Sequence, residues 1–200
     1  MPDQKNVLKK RCAWNTTDPI YLNYHDNEWG RPQYDSRALF EMLCLEGMQA
    51  GLSWISILRR RDHYREAFDG FDPERVVHYS SEKIDQLMQD SGIIRNRRKI
   101  EAIVTNAAGF LEIEKQQPFS DYLWTFVGKK PIIHHYDRHE DIPASNAVSG
   151  IMSKDLKKRG FKFVGETICY AFMQATGMVN DHETGCFYYS QINSESGMVN

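Results

Sequence analysis

FEMLCLEGMQAGLSWISIL, Phe40 to Leu58, is the stretch on which the reading of this chain turns. Between the charged residues Glu41 and Arg59 lie 17 positions, and Glu46 is the only charged residue among them. Wound at helical period, the segment is apolar on every side, so it reads as a helix buried all round rather than half exposed. A lone carboxylate in such a place is costly unless something pairs with it. Two readings follow. Either Glu46 meets an arginine or a backbone N–H inside the core, or it lies on the floor of a pocket and serves a ligand. Gly47 and Gly51, spaced i, i+4, leave a flat strip on one face where another surface can approach.

Outward from that stretch the pattern stays helical. Asp35-Ser36 supplies a helix start, and a polar segment continues through Arg61 to Phe68. Asp72-Pro73 opens a short helix, and Ser80-Ser81 opens another that stops at Gly92. Asn96 precedes a helix whose Ile100, Ile103, Val104, Ala107 and Leu111 share one face. Ser120 starts a short segment with Trp124, and Lys129 to Asp141 has no clear period and reads as loop. A helix from Ser145 to Gly160 follows. A last, buried one covers Val164 to Thr176, with Gly177 as its C-cap. Before all of these, Arg11 to Gly30 crowds Cys12, Trp14, Tyr21, Tyr24, His25 and Trp29 into a region with turn signals at Asn15 to Pro19, a folded cap of loops. Strand signals are scarce. The expected fold is all-α, one domain over about residues 11 to 186, flanked by tails at 1–10 and 187–200.

Two hundred residues with 41% hydrophobic content suit such a domain. The net charge of −2 gives no global basic field, so any contact with nucleic acid must come from local patches. The longest run without a charged residue, Thr167 to Asn180, has 14 positions, short of the roughly 20 a membrane span needs. Met1 to Lys10 lacks the apolar centre of a secretory signal, and four widely spaced cysteines do not form a disulfide framework. A soluble cytoplasmic protein is expected.

Three constellations carry chemistry. The link between the Ser81 and Asn96 helices, Gly92-Ile93-Ile94-Arg95, with Arg97, Arg98 and Lys99 just beyond, places cations at a helix N-terminus. There, backbone N–H groups and the helix dipole hold phosphate. An ordinary αα-hairpin with a solvated basic face fits the same residues. Arg59-Arg60-Arg61 and Lys154 to Lys162 are further basic clusters that a duplex can meet. Second, Cys12 and His25 near the start and His182 and Cys186 near the end are four zinc-type donors, enough to close a tetrahedron, although neither pair has diagnostic finger spacing. Cys44 and Cys169 read as core. Third, Trp14, Tyr21, Tyr24, Trp29 and Trp54 beside a buried carboxylate make a slot for a planar cation, or simply a core.

The chain closely resembles the DNA-3-methyladenine glycosylase I family, constitutive alkyl-purine glycosylases of bacteria. The likeness rests on Arg11-Cys12-Ala13-Trp14, Tyr24-His25-Asp26-Asn27-Glu28-Trp29-Gly30 and Leu45-Glu46-Gly47-x-Gln49-Ala50-Gly51-Leu52-Ser53-Trp54. It continues through Gly92-Ile93-Ile94-Arg95, Lys158-Arg159-Gly160-Phe161-Lys162-Phe163-Val164-Gly165 and Asn180-Asp181-His182. The resemblance implies a helix-hairpin-helix glycosylase fold with the hairpin at about 82–111, although the usual second glycine of that hairpin is absent. It also implies a structural Zn²⁺ held by Cys12, His25, His182 and Cys186, clipping residues 11–30 to 165–186. Around the extruded base it places Glu46, Tyr24, Trp54, Trp14, Trp29 and Tyr21, with Glu46 as the residue that assists excision. Gly92, Ile93, Ile94, Arg95, Arg97 and Lys99 are expected on DNA, and Leu52 as a wedge in the vacated stack. The implied partners are alkylated double-stranded DNA and the 3-methyladenine base, with no membrane and no obligate protein partner. Asp121 reads as a helix-start residue, and no lysine is placed as a nucleophile. The alternatives are a zinc-stapled damaged-DNA sensor without turnover, or a glycosylase for another modified base.

Overall fold

The computed structural model describes residues 9–189 and 191, and among these the fold is all-α apart from two short strands. Its centre is α2, Ser36–Gln49, started by the Asp35 carboxylate, which accepts the Ala38 N–H at 2.7 Å. Every residue from Leu39 through Met48 is buried. The helix stops at Gln49. Gly51 at φ +78° turns the chain, and α3, Trp54–Leu58, begins after Ser53. One continuous helix over Phe40–Leu58 was the expectation. The glycine in the left-handed region divides it in two, and Gly51 faces open space instead of sharing a face with Gly47.

The cap expected to be loop contains α1, Pro19–Asn27, whose Asp18 side chain accepts the Ile20 N–H while Pro19 sits at the first helical position. Tyr21, Tyr24 and His25 are therefore helical. After α4, Arg61–Ala67, come α5, Pro73–Val76, and α6, Ser81–Leu87, capped by Asp72 and Ser80 as the sequence indicates. α6 ends at Leu87, before Gly92. α7, Arg97–Glu114, is capped by the Asn96 side chain, and α8, Phe119–Trp124, follows it. α9, Ala147–Lys158, opens on a capping box of Asn146 and Ser149. α10, Glu166–Ala175, is closed by Gly177 at φ +68°, where the Arg31–Pro32 backbone passes so close that a Cβ would lie 2.4 Å from it. α2 packs against α3, α7, α8 and α10, which encloses its apolar surface on all sides.

The segment Lys129–Asp141 is less irregular than expected. Its β1, Ile132–Ile133, pairs in parallel with β2, Val179–Asn180, and Tyr136 bridges to Glu183. The two ends of the described chain also meet. The Phe187 amide donates to the Lys10 carbonyl at 2.8 Å, and Tyr188 is buried against the His182 ring. These contacts bring Lys10, Phe187 and Tyr188, from the tails expected at 1–10 and 187–200, against the cluster described next. Of those tails, residues 1–8, 190 and 192–200 lie outside the described residues. No helix among the described residues is long and apolar enough to cross a membrane.

Candidate active site and metal cluster

Both α2 and its surroundings bury carboxylates, with opposite treatment. Glu41 receives Arg61 at 2.8 Å and Arg65 at 2.8 Å, so its charge is neutralised within the fold. Glu46, 4% exposed, takes no hydrogen bond or ion pair from any described residue, and burial pushes its carboxyl up to about 8. It lies on the floor of a cleft of about 210 Å³ lined by Trp14, Tyr21, Tyr24, Trp29, Trp54 and Gln49. Tyr24 and Trp54 meet at 5.6 Å between ring centroids, Trp14 and Trp29 at 5.0 Å, and Trp14 and Tyr21 at 5.7 Å. Burial, reinforced by the Glu46 charge, pushes the Tyr24 hydroxyl well up, so it stays a proton donor. The Trp14 indole N–H is buried without an acceptor. Such a pocket offers π faces and a carboxyl group that is mostly protonated at pH 7 and is drawn into its ionised form when a flat cationic ring enters.

Sequence reasoning missed part of this wall. His139 and Ile142 reach the cleft from the turn after β1, and Ala171 and Gln174 from α10. The first two sit in a stretch without period. Ala171 and Gln174, spaced i, i+3 on one helical face, were legible as a surface facing something.

Behind the pocket lie Cys12, His25, His182 and Cys186, all buried, with donor atoms within 4.8 Å of one another. The four residues from the two ends of the chain form one cluster able to hold a metal ion. The rings are oriented for it: His25 Nδ1 lies 2.9 Å from Asp26 Oδ1, and His182 Nδ1 lies 2.9 Å from Asn180 Oδ1. His182 Nε2 is buried without a hydrogen-bond partner, and His25 Nε2 faces Cys186 Sγ at 3.5 Å and the Cys12 amide at 3.4 Å. Burial holds the His182 imidazole neutral, its pKa pushed down to about 3. The Cys12 and Cys186 sulfurs share a proton between them, which pushes the Cys186 thiol down and the Cys12 thiol up. Gly30 at φ +75° lies under His182: a Cβ there would sit 2.4 Å from His182 Cε1. Trp29 packs edge-on against His182 at 4.5 Å, and Trp14 lies 5.3 Å from His25. The aromatic wall of the pocket is thus the outer face of the Cys/His cluster.

The residues expected on DNA divide. α6 and α7 are joined by Met88–Asn96, and Arg95, Arg97 and Arg98 are exposed there. Leu52, 39% exposed, projects from the turn between α2 and α3. Lys99 does not face solvent. Only 6% exposed, it donates to the Met48 carbonyl at 2.8 Å and the Ala50 carbonyl at 2.6 Å, closing the C-terminal end of α2. The Gly92 amide is taken by Asp90 Oδ1 and the Ile94 amide by the Tyr64 hydroxyl, and Ile93 is buried. Of the cations expected on DNA at this turn, Arg95 and Arg97 stay exposed, and Arg97 pairs with Asp85 and Glu101. In the Arg59–Arg61 cluster, Arg61 is committed to Glu28 and Glu41 and Arg60 donates to the Ser56 carbonyl, while Arg59 is exposed and pairs with Asp18. A run of cations in sequence did not distinguish burial from display.

An all-α body that holds a single unpaired carboxylate in an aromatic cleft defines a helical protein built to receive a flat, electron-poor ring. The sequence model of the methyladenine glycosylase family matches residues 14–189. The chain is 53% identical over 181 residues to DNA-3-methyladenine glycosylase 1 of Escherichia coli (strain K12), covering 90% of this chain and 97% of that protein. It is 52% identical over 180 residues to DNA-3-methyladenine glycosylase of Haemophilus influenzae (strain ATCC 51907 / DSM 11121 / KW20 / Rd), with coverage of 90% and 97%. A crystal structure of 3-methyladenine DNA glycosylase I superposes with a TM-score of 0.88 at 54% identity, covering 89% of this chain and 98% of the other. The Staphylococcus aureus 3-methyladenine DNA glycosylase I, solved to explain 3-methyladenine recognition, superposes with a TM-score of 0.86 at 44% identity, covering 88% and 95%. This chain belongs to the methyladenine glycosylase family.

Proposed function

We propose that this protein is a monofunctional DNA N-glycosylase that flips 3-methyladenine out of alkylated duplex DNA and hydrolyses its bond to deoxyribose. The observation that carries the reading is Glu46: a buried carboxylate left without a partner on the floor of an aromatic cleft, one turn beyond a carboxylate that the fold does pair.

Methylation at N3 gives the base a positive charge while it is still attached to the sugar. Trp14, Tyr21, Tyr24, Trp29 and Trp54 offer faces that favour this cation over a normal purine. Glu46 accepts a hydrogen bond from the exocyclic amine and stabilises the charge. Cleavage of the C1′–N9 bond sends its electron pair to the base, which leaves neutral, and leaves positive charge on the sugar. Water adds at C1′ and gives a proton to solvent. The charge that favours the substrate base is therefore gone from the product, which is held by the aromatic faces and the Glu46 hydrogen bond. The leaving group needs no general acid. Asp121 is exposed in the first turn of α8 and is not among the residues lining the cleft, and no lysine lines it, so no Schiff-base step is assigned.

Cys12, His25, His182 and Cys186 are the ligands proposed for a structural Zn²⁺. The donor set fits: two thiols, two imidazoles whose Nδ1 atoms are already engaged, and an orphaned buried Nε2. Four protein donors fill a tetrahedron, so the ion would fasten residues 11–30 to 165–186 and support Trp14 and Trp29. α6 and α7, over about 82–111, are read as the helix-hairpin-helix element, with Arg95 and Arg97 near phosphate, and Leu52 as the wedge. The proposed glycosylase domain runs from about residue 11 to 186, and its work lies with the chromosome, in the cytoplasm of a bacterial cell.

Titration with free 3-methyladenine, followed through the tryptophan fluorescence of the pocket, tests the reading. Saturable quenching by 3-methyladenine, much weakened in Glu46→Gln, is expected. Absence of quenching, or an equal response in Glu46→Gln, would refute the proposed site.

A further inference from the structure

Phe163 is an exposed aromatic in a backbone conformation that favours glycine. Its φ is +53° and it is 36% exposed, on the turn between α9 and α10. Glycine would adopt that φ without strain, and glycines stand close by at Gly160 and Gly165. The turn is nonetheless fixed on both sides of Phe163. The buried Asn106 side chain grips Lys162 by both its backbone groups, at 3.1 Å and 2.7 Å. Ser153 and Cys169 both donate to the Val164 carbonyl. Phe161 is packed so tightly on Gly109 that a Cβ there would lie 2.5 Å from its ring.

The position of this turn is informative. Phe163 lies across Gly47 on α2, next in sequence to Glu46, where a Cβ would meet Phe163 Cβ at 3.3 Å. The Lys99 ammonium, which closes the end of α2 at Ala50, is 6.0 Å from the Phe163 ring. Leu52 follows two residues after Ala50. Phe163 also borders an open groove with Arg98 and Lys162, both exposed, and with Glu101, which pairs with Arg97 at 3.6 Å. An exposed apolar side chain on a fixed turn, lining a groove with the cations Arg98 and Lys162 and packed across α2, has the make-up of a duplex-facing wedge rather than of core packing.

We propose that Phe163 is a second DNA-inserting residue. It unstacks a base step of the opened duplex while Leu52 enters the site of the flipped nucleotide, and Lys99 keeps the two projections at a set separation. The inference rests on the DNA-glycosylase reading. Its test uses Phe163→Gly and Phe163→Leu in the full chain, with 2-aminopurine placed beside or opposite an uncleavable lesion analogue in duplex DNA. Wild type should raise the 2-aminopurine fluorescence on binding. Phe163→Gly should lose most of that rise, and its single-turnover release of 3-methyladenine from duplex should fall at least tenfold, with Phe163→Leu between. Thermal stability and free 3-methyladenine binding should stay at wild-type values, since glycine relieves the φ and the pocket wall is untouched. An unchanged fluorescence rise and release rate in Phe163→Gly would overturn the proposal, as would a variant whose loss is explained by a large fall in stability or in free-base binding. Failure of the wild type to release any base would strike the glycosylase reading instead, and the fluorescence rise would still decide the role of Phe163.

Discussion

Replacing Glu46 by glutamine should make the protein more stable, by an amount that depends on pH. The carboxyl is held at about 8 against a reference of 4.5, because burial disfavours its ionised form. At about 1.36 kcal/mol for each tenfold, that difference is worth about 5 kcal/mol in full. The sign follows from proton binding: the folded protein holds the Glu46 proton more tightly than the unfolded chain does. The wild type therefore keeps this stability below pH 4.5 and loses it progressively as pH rises toward 8. Glutamine has no proton to lose. Its advantage is near zero at the acid end and about 3 kcal/mol at pH 7, on the order of 6–12 °C in Tm for a chain of this length. Thermal unfolding of both proteins from acid to mildly alkaline pH measures it directly. A Tm difference that stays flat across that range would mean Glu46 is not buried uncompensated, and the argument for a ligand-directed carboxylate would fall with it.

Cys186→Ala should abolish metal binding and destabilise the fold by about 4 kcal/mol or more, read by metal analysis and Tm; a stable, metal-free and fully active variant would refute the proposed clip. Gly30→Ala forces a Cβ to 2.4 Å from His182 Cε1 at a φ of +75°, so zinc affinity should fall about tenfold or more in a chelator competition. Lys99→Met leaves the Met48 and Ala50 carbonyls without their donor and should cost about 1–3 kcal/mol, yet the salt dependence of DNA binding should not change. Arg95→Ala should lower that salt slope by about 1 with little change in stability, and the reverse pattern would contradict both assignments.

Much of this was legible in the residues. Each of Asp35, Asp72, Ser80 and Asn96 caps a helix where the sequence places one, because a short polar side chain before an apolar run satisfies the first free amides. The buried Glu46 also stood out, since no apolar period explains a carboxylate there. Hydrophobic pattern could not find the break at Gly51, because the apolar run continues through Trp54 while the backbone reverses at φ +78°. Nor could it separate Lys99 from Arg97 and Arg98, which share its composition but not its burial. α1 was hidden because Asp18-Pro19 signals a turn and a helix start equally well. His139 and Ile142 were out of reach: they face the cleft through β1 pairing with β2, a contact between segments far apart in sequence.

The central claim is that Glu46 and its aromatic ring select a cationic base and release it from DNA. Chromatographic identification of the bases freed from methylated duplex DNA, wild type beside Glu46→Gln, tests it most directly. The account predicts release of 3-methyladenine with 7-methylguanine left in place, and a much slower release by the folded Glu46→Gln variant. Tight binding of damaged DNA without any base release would contradict it and leave a damage sensor in its place.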